Sequence, residues 1–283
     1  INVRRSLRDI ALRSFVTAEA SYTEAHRVQN NGLIVRTSQD ETRVDLGIDN
    51  NFDGLIQRVL LEWIENDLLM HQLTGANLLP LANIKLDWQI TDARARRSSP
   101  NTRSYRYNEN RDGEFELNPF GNEPNIEFAD LIDDSRVYRV GATLPFDFSS
   151  KVVGQFAAGY EAIDRDRDSS IRRFTYRLFP ADNVRPSFIE LQDNTQVTDF
   201  YTAIQKQDAY YLEADSTFWN TLRVTLGMRQ EKNLQEVITD SPFENVQPDV
   251  ATLDTDDRLP AAALTWFIND SHQLRVSFAE TVA

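Results

Sequence analysis

From Ile84 to Thr91 the side chains change character at every step. Ile84, Leu86, Trp88 and Ile90 are apolar, whereas Lys85, Asp87, Gln89 and Thr91 are polar. A period of two is the signature of a strand with one apolar and one polar face. The pattern recurs at Leu222, Val224, Leu226 and Met228, set against Arg223, Thr225, Gly227 and Arg229. It recurs again at Tyr138, Val140, Ala142 and Leu144, and at Leu274, Val276 and Phe278. Val152–Tyr160 and Val16–Tyr22 carry it less cleanly. Helical spacing fits none of these runs as well.

The segments between them fall into two kinds. Residues 79–83, 147–150, 219–221 and 268–271 read as tight turns, and residues 96–135, 164–199 and 235–258 as long polar loops. From Ile84 onward short and long connections alternate, which predicts an up-and-down antiparallel meander with short turns at one end and long loops at the other. Upstream, Val44, Leu46 and Ile48 suggest a descending strand and residues 50–54 a turn. Val59, Leu61 and Trp63 suggest an ascending strand, Glu65–Asp67 a short outer loop and residues 68–78 the return. The whole reads as all-β, with roughly eleven strands of about 9–13 residues.

Three features favour lipid outside the apolar face. The opposite face carries Lys85, Asp87, Arg139, Glu161, Arg223, Arg229 and Arg275, which a packed soluble interior would not accept. Phe146, Phe148, Phe218, Trp219, Trp266 and Phe267 cluster near the tight turns, as an interfacial aromatic girdle does. A long open sheet would also expose its edges, which closure into a barrel removes. On this reading Leu86, Trp88, Val224, Leu226, Val276 and Phe278 share a convex face, with Arg229 and Arg275 on the concave side. The alternative is a soluble antiparallel sheet with one wet face.

Composition narrows the function. The 283 residues carry a net charge of −14, which disfavours nucleic acid as a partner. No apolar run is long enough for a membrane-spanning helix, a test that strands escape. There is no cysteine, so disulfides and thiolate chemistry are excluded. His26, His71 and His272 share no metal-ligand spacing, and no phosphate loop, nucleophile elbow or zinc motif occurs. No cofactor, metal or catalytic residue is expected, and the chain is not read as an enzyme.

Residues 73–77 (Leu-Thr-Gly-Ala-Asn), Lys85–Trp88, Ala93–Arg103, Asp208–Leu212 and Leu226–Glu231 resemble the barrel of TonB-dependent outer-membrane receptors. So do Leu259–Ala262 and the ending Leu274–Ala283, whose Thr-Val-Ala resembles a family strand that runs on into Arg-Pro. The resemblance implies roughly half of a barrel of about 22 strands, residues 1–283 being one partial barrel domain. It implies a plug domain and a TonB box outside this sequence, and no signal peptide is recognisable at Ile1. The implied setting is the outer membrane of a Gram-negative cell, with membrane lipid and the TonB complex as partners. The implied function is energised uptake of an iron chelate, cobalamin or glycan. A soluble or cell-surface β-rich binding or adhesin module and a passive porin-like channel are the alternatives.

The long segments hold the candidate ligand contacts. Tyr105, Tyr107, Phe120 and Tyr176 could stack on a sugar or siderophore, and Arg172 and Arg173 could hold an anion, unless they serve only to tie the loops together. Asp166 and Asp168, and likewise Asp254, Asp256 and Asp257, read as solvated strand charges, with a cation site as the alternative. Residues 130–134 read as a loop packing Leu131 and Ile132. Drawn by itself, the chain should form a curved open sheet whose first and last strands do not pair.

Overall fold

The computed structural model describes residues 2–23, 25–48, 54–118, 124–179, 188–239 and 247–282. The strands are β1 (Asn2–Thr23), β2 (His26–Ile48), β3 (Leu55–Leu79), β4 (Ile84–Glu109), β5 (Phe115–Leu117), β6 (Asn125–Ser149), β7 (Val152–Phe179), β8 (Phe188–Asp193), β9 (Phe200–Phe218), β10 (Leu222–Thr239), β11 (Asp249–Asn269) and β12 (His272–Ala279). They form one sheet in the order β1-β2-β3-β4-β6-β7-β9-β10-β11-β12, with β5 added to β4 and β8 to β7. Every pairing is antiparallel. The first and last strands lie at opposite ends of the sheet and do not meet.

The tight turns are built for their task. Trp219 and Asn220 both have positive φ (52° and 56°), and Thr221 N–H donates to the Phe218 carbonyl at 3.0 Å. Two left-handed central residues make a type I′ hairpin, whose twist matches the flanking strands. Gly would be at ease at the first position, whereas Trp there is strained. Its indole is 61% exposed, at the level expected for an interfacial ring.

Two faces follow from the pleat and the register. On one face side chains reach across an intervening strand: Arg229 of β10 bonds Glu161 of β7 over β9 at 3.1 Å. That convergence marks the concave inner face, and Arg275 bonds Thr265 there too. Leu226, Val276 and Phe278 occupy the opposite, convex face and are 55, 62 and 59% exposed. Leu86, Trp88 and Val224 share its parity through the ladder. The wall is therefore apolar outside and charged inside, the arrangement expected from the sequence.

The apolar band covers only the half nearest the tight turns. Outward positions on β4 run Ile84, Leu86, Trp88 and Ile90, and then Asp92, Arg94 and Arg96. On β9 they run Phe218, Ser216, Ala214, Leu212 and Tyr210, and then Asp208 and Lys206. The limit is oblique to the ladder. Asp208 stands on one row with Ala162, Tyr138, Ile90 and Leu73. A flat bilayer cutting tilted strands produces this diagonal.

Beyond the band the chain departs from the expectation of loops. The long strands continue to 18–28 residues, against the about 9–11 that a membrane crossing needs. Glu65–Asp67 is the middle of β3 and not an outer loop, and residues 130–134 lie inside β6. The reason is cross-strand charge pairing: Arg36–Asp67, Arg94–Asp134, Arg96–Asp130 and Arg167–Asp133 join neighbouring strands. The turn placed at 50–54 falls mostly outside the described residues.

Candidate functional site

Among the polar side chains of the inner wall, two groups border cavities. In the lower group, Glu161 accepts from Arg139 and from Arg229, and Arg229 also bonds Glu231 at 2.9 Å. The Glu161 side chain is only 11% exposed, so its charge depends on these two guanidiniums. Beside it Tyr211 lies flat across the neighbouring strands. A Cβ at Gly159 would sit 2.4 Å from Tyr211 Cε1, and one at Gly141 would sit 2.9 Å from its Oη and 2.6 Å from Asp87 Oδ2. Gly141 and Gly159 are direct ladder partners, so two absent side chains make one trough for the ring. Arg27, Asp87, Gln89, Arg139, Gly141, Glu161, Tyr211 and Arg229 border a cavity of about 620 Å³.

The upper group lies beyond the apolar band. Asp133 holds Arg167 at 2.6 Å and Arg165 at 3.6 Å. That hydrogen bond raises the Arg167 pKa above its ordinary value. Arg173 bridges Glu127 at 3.2 Å and Asp199 at 2.7 Å, and Asp199 is buried. The segment after β8 folds down here: Thr195 Oγ accepts the Arg173 N–H at 3.0 Å, and Asp199 accepts the Gln196 N–H at 2.8 Å. Asn125, Arg173, Asn194, Thr195 and Gln196 line a polar cavity of about 500 Å³.

Of the described residues picked from the sequence, Arg173 alone borders this cavity. Arg172 is on the outer face, bonded to Asp193 at 2.9 Å and stacked 5.4 Å from the Phe174 ring centre. Tyr176 shares the outward parity of Arg172. Tyr105 and Tyr107 also face outward, because an irregularity between Ser99 and Thr102 shifts the β4 register and reverses its parity. Phe120 lies outside the described residues. Asp166 and Asp168 point outward, and no three His, Cys, Asp or Glu side chains among the described residues could hold a metal ion together.

Glu127, Asp133, Asp199 and Tyr211 were not foreseen as site residues. The carboxylates carry no local signature. For Tyr211 a clue existed in Gly141 and Gly159, both interrupting strands on the polar parity.

The family model described as "TonB dependent receptor-like, beta-barrel" matches residues 9–283. No curated protein matches the chain. Among solved structures, the siderophore receptor PiuA from Acinetobacter baumannii superposes with a TM-score of 0.53 at 10% identity, over 98% of this chain and 48% of that one. BauA, the ferric preacinetobactin receptor from Acinetobacter baumannii, gives 0.46 at 11% identity, over 95% and 45%. The ferric citrate transporter FecA gives 0.43 at 12%, over 94% and 43%. The chain thus spans about half the length of the solved structures it matches.

Proposed function

The chain belongs to the TonB-dependent receptor β-barrel family, whose members sit in the Gram-negative outer membrane, and from that premise we propose that it forms part of the wall of an active importer. The observation that supports this reading is the division of the wall: lipid-facing apolar side chains outside, and inside paired charges at Glu161, Arg167 and Arg173. The inner lining suits a passage for a polar small molecule and a polar plug that occupies it. The cargo class is an iron chelate, cobalamin or a glycan, captured at the loop end, and the energy comes from the TonB complex through the plug. An iron chelate is the first to test, because PiuA is a siderophore receptor.

In this reading the upper polar cavity makes early contact with cargo. Arg173 donates to it, and Asn194 and Gln196 supply amide groups of both polarities. Tyr105, Tyr107, Arg172 and Tyr176 contribute from the outer surface of the extended strands, and Phe120 stays a candidate contact outside the described residues. No catalytic step is involved.

The test is uptake of labelled ferric chelates by cells expressing the full-length receptor, with and without a protonophore and with and without TonB. Accumulation that needs both the receptor and energy supports the proposal. Energy-independent entry, matched by steady ion conductance in planar bilayers, would replace it with a passive channel.

A further inference from the structure

Strand β4 carries one residue more than its neighbours require. Against β6, Ser99 pairs with Ala129 and Thr102 with Glu127, so Pro100 and Asn101 together oppose Phe128 alone. Against β3 the same surplus appears: between the Glu65–Ser98 and Leu61–Arg103 pairs, residues 99–102 of β4 face residues 62–64 of β3. The β2–β3 and β6–β7 ladders run through these rows without interruption, so the surplus belongs to β4. Two residues against one make a β-bulge, a place that tolerates proline because no ladder N–H is needed there. Side chains staple it. The Ser99 hydroxyl donates to the Trp63 carbonyl at 3.3 Å and lies 2.7 Å from the Thr102 hydroxyl, and Ser99 is buried.

Facing is strongly specified where one side of a strand is buried and weakly where both sides are wet. The bulge lies above the apolar band, so it, and not the medium, decides which β4 side chains look into the lumen. Ser104 is the ladder partner of Asn125, which borders the upper polar cavity. Counted on from the Ser99–Ala129 pair without the extra residue, the partner of Asn125 would be Arg103, and Tyr105 would follow on the same face. The bulge thus sets a small hydroxyl where a guanidinium would stand. Arg103 is turned outward and donates to Asn101 Oδ1 at 3.0 Å. The cation that does border the cavity, Arg173, is held between two carboxylates, Glu127 and Asp199. Among the described lining residues, what remains for a ligand is mainly the amides of Asn125, Asn194 and Gln196.

We propose that the Pro100–Asn101 bulge is a specificity determinant of the upper cavity: by withholding Arg103 it makes the cavity take an uncharged, hydroxyl- or amide-bearing part of the cargo and disfavour an anionic one. The proposal rests on the importer reading given above. An anionic group would meet Glu127 and Asp199 with their charge countered by Arg173 alone. Hydroxyl and amide groups find donors and acceptors on the same side chains.

The test has two parts, both on the full-length receptor. In detergent, the single variants Arg103→Cys and Ser104→Cys are treated with a small maleimide and with the same maleimide carried on a protein too large for the lumen. Arg103→Cys should react with both reagents and Ser104→Cys with the small one only, and deleting Asn101 should exchange the two patterns. Unchanged patterns in a deletion variant that keeps the heat-modifiable mobility of a folded barrel overturn the bulge as the determinant. In cells, uptake of a neutral ferric trihydroxamate is compared with uptake of ferric citrate, an anionic chelate. Wild type should favour the neutral chelate, and Ser104→Arg, which supplies the cation without touching the bulge, should shift the ratio toward ferric citrate by about tenfold. A wild-type preference for ferric citrate, or an unmoved ratio in Ser104→Arg, overturns the specificity assignment. If neither chelate accumulates, the importer reading fails for iron and the labelling still decides the bulge; if the deletion variant does not fold, the Ser104→Arg ratio decides.

Discussion

Leu226 and Leu234 project from the same outward face of β10, eight residues apart on one uninterrupted ladder. Around Leu226 stand Ala214 and Ala262; around Leu234 stand Lys206 and Asp254. The backbone and pairing are the same at both places, and only the medium differs. Below the limit each strand separates lipid from a polar interior, so its two faces must differ. Above it both faces meet water, and both carry charge. Cross-strand ion pairs replace the membrane as the reason for the strand to continue.

Substitutions that exchange the two environments test this contrast, and the largest effect is expected on the lipid face. Leu226→Arg should destabilise the full-length barrel in vesicles by about 2–4 kcal/mol in equilibrium denaturant unfolding. Leu234→Arg should fall within about 0.5 kcal/mol of wild type. Equal costs at the two positions would erase the boundary drawn here.

The inner face offers a second contrast at the level of packing. Gly159→Ala forces Tyr211 off its trough and should cost about 1–3 kcal/mol, as overpacking does. At Gly227 the nearest atom to an added Cβ is 3.8 Å away, so Gly227→Ala should be neutral or stabilise by about 0.4–1 kcal/mol. Denaturant midpoints of the two variants, compared at equal slope, give the answer. A similar cost, about 1–3 kcal/mol, is expected for Glu161→Gln, which leaves Arg139 and Arg229 without their shared carboxylate.

The smallest effect is one of pH, read in the upper half. Hydrogen bonds from Arg36 and Arg94 hold the Asp67 and Asp134 carboxyls below their ordinary values. A carboxyl so depressed adds stability above its unfolded pKa and loses it as pH falls through the folded one. Acidification below about pH 4 should therefore loosen the strand ends above the band. Amide exchange measured by mass spectrometry should rise around Asp67 and Asp134 on β3 and β6, and unchanged exchange there would contradict the role given to these pairs.

How much was legible in the sequence follows the same line. Ile84–Ile90 and Leu222–Met228 declare themselves because a strand between two media must alternate. The upper strands do not: in Asp164–Asp168 opposite charges occupy both faces, and period two no longer separates apolar from polar. Their pairing is visible only through partners far along the chain, such as Asp133 for Arg167. Arg172 and Arg173 read together as one anion clamp, yet consecutive residues of a strand face opposite ways. Tyr105 and Tyr107 could not be oriented from sequence, because their direction depends on the register irregularity between Ser99 and Thr102. The fold lay in local alternation; the site depends on which strands the register brings side by side.

The oblique limit of the apolar band turns register into depth. A slip of one residue between β4 and β6 would reverse a face, an error any two-sided sheet rejects. A slip of two keeps every face correct and would pass unnoticed in water. Here it would move Asp92 about 6–7 Å along the strand, toward or away from hydrocarbon. Because each strand meets the boundary at its own row, no common shift can conceal the mistake. The bilayer then acts as a template that checks assembly, rejecting pairings the hydrogen bonds alone would allow.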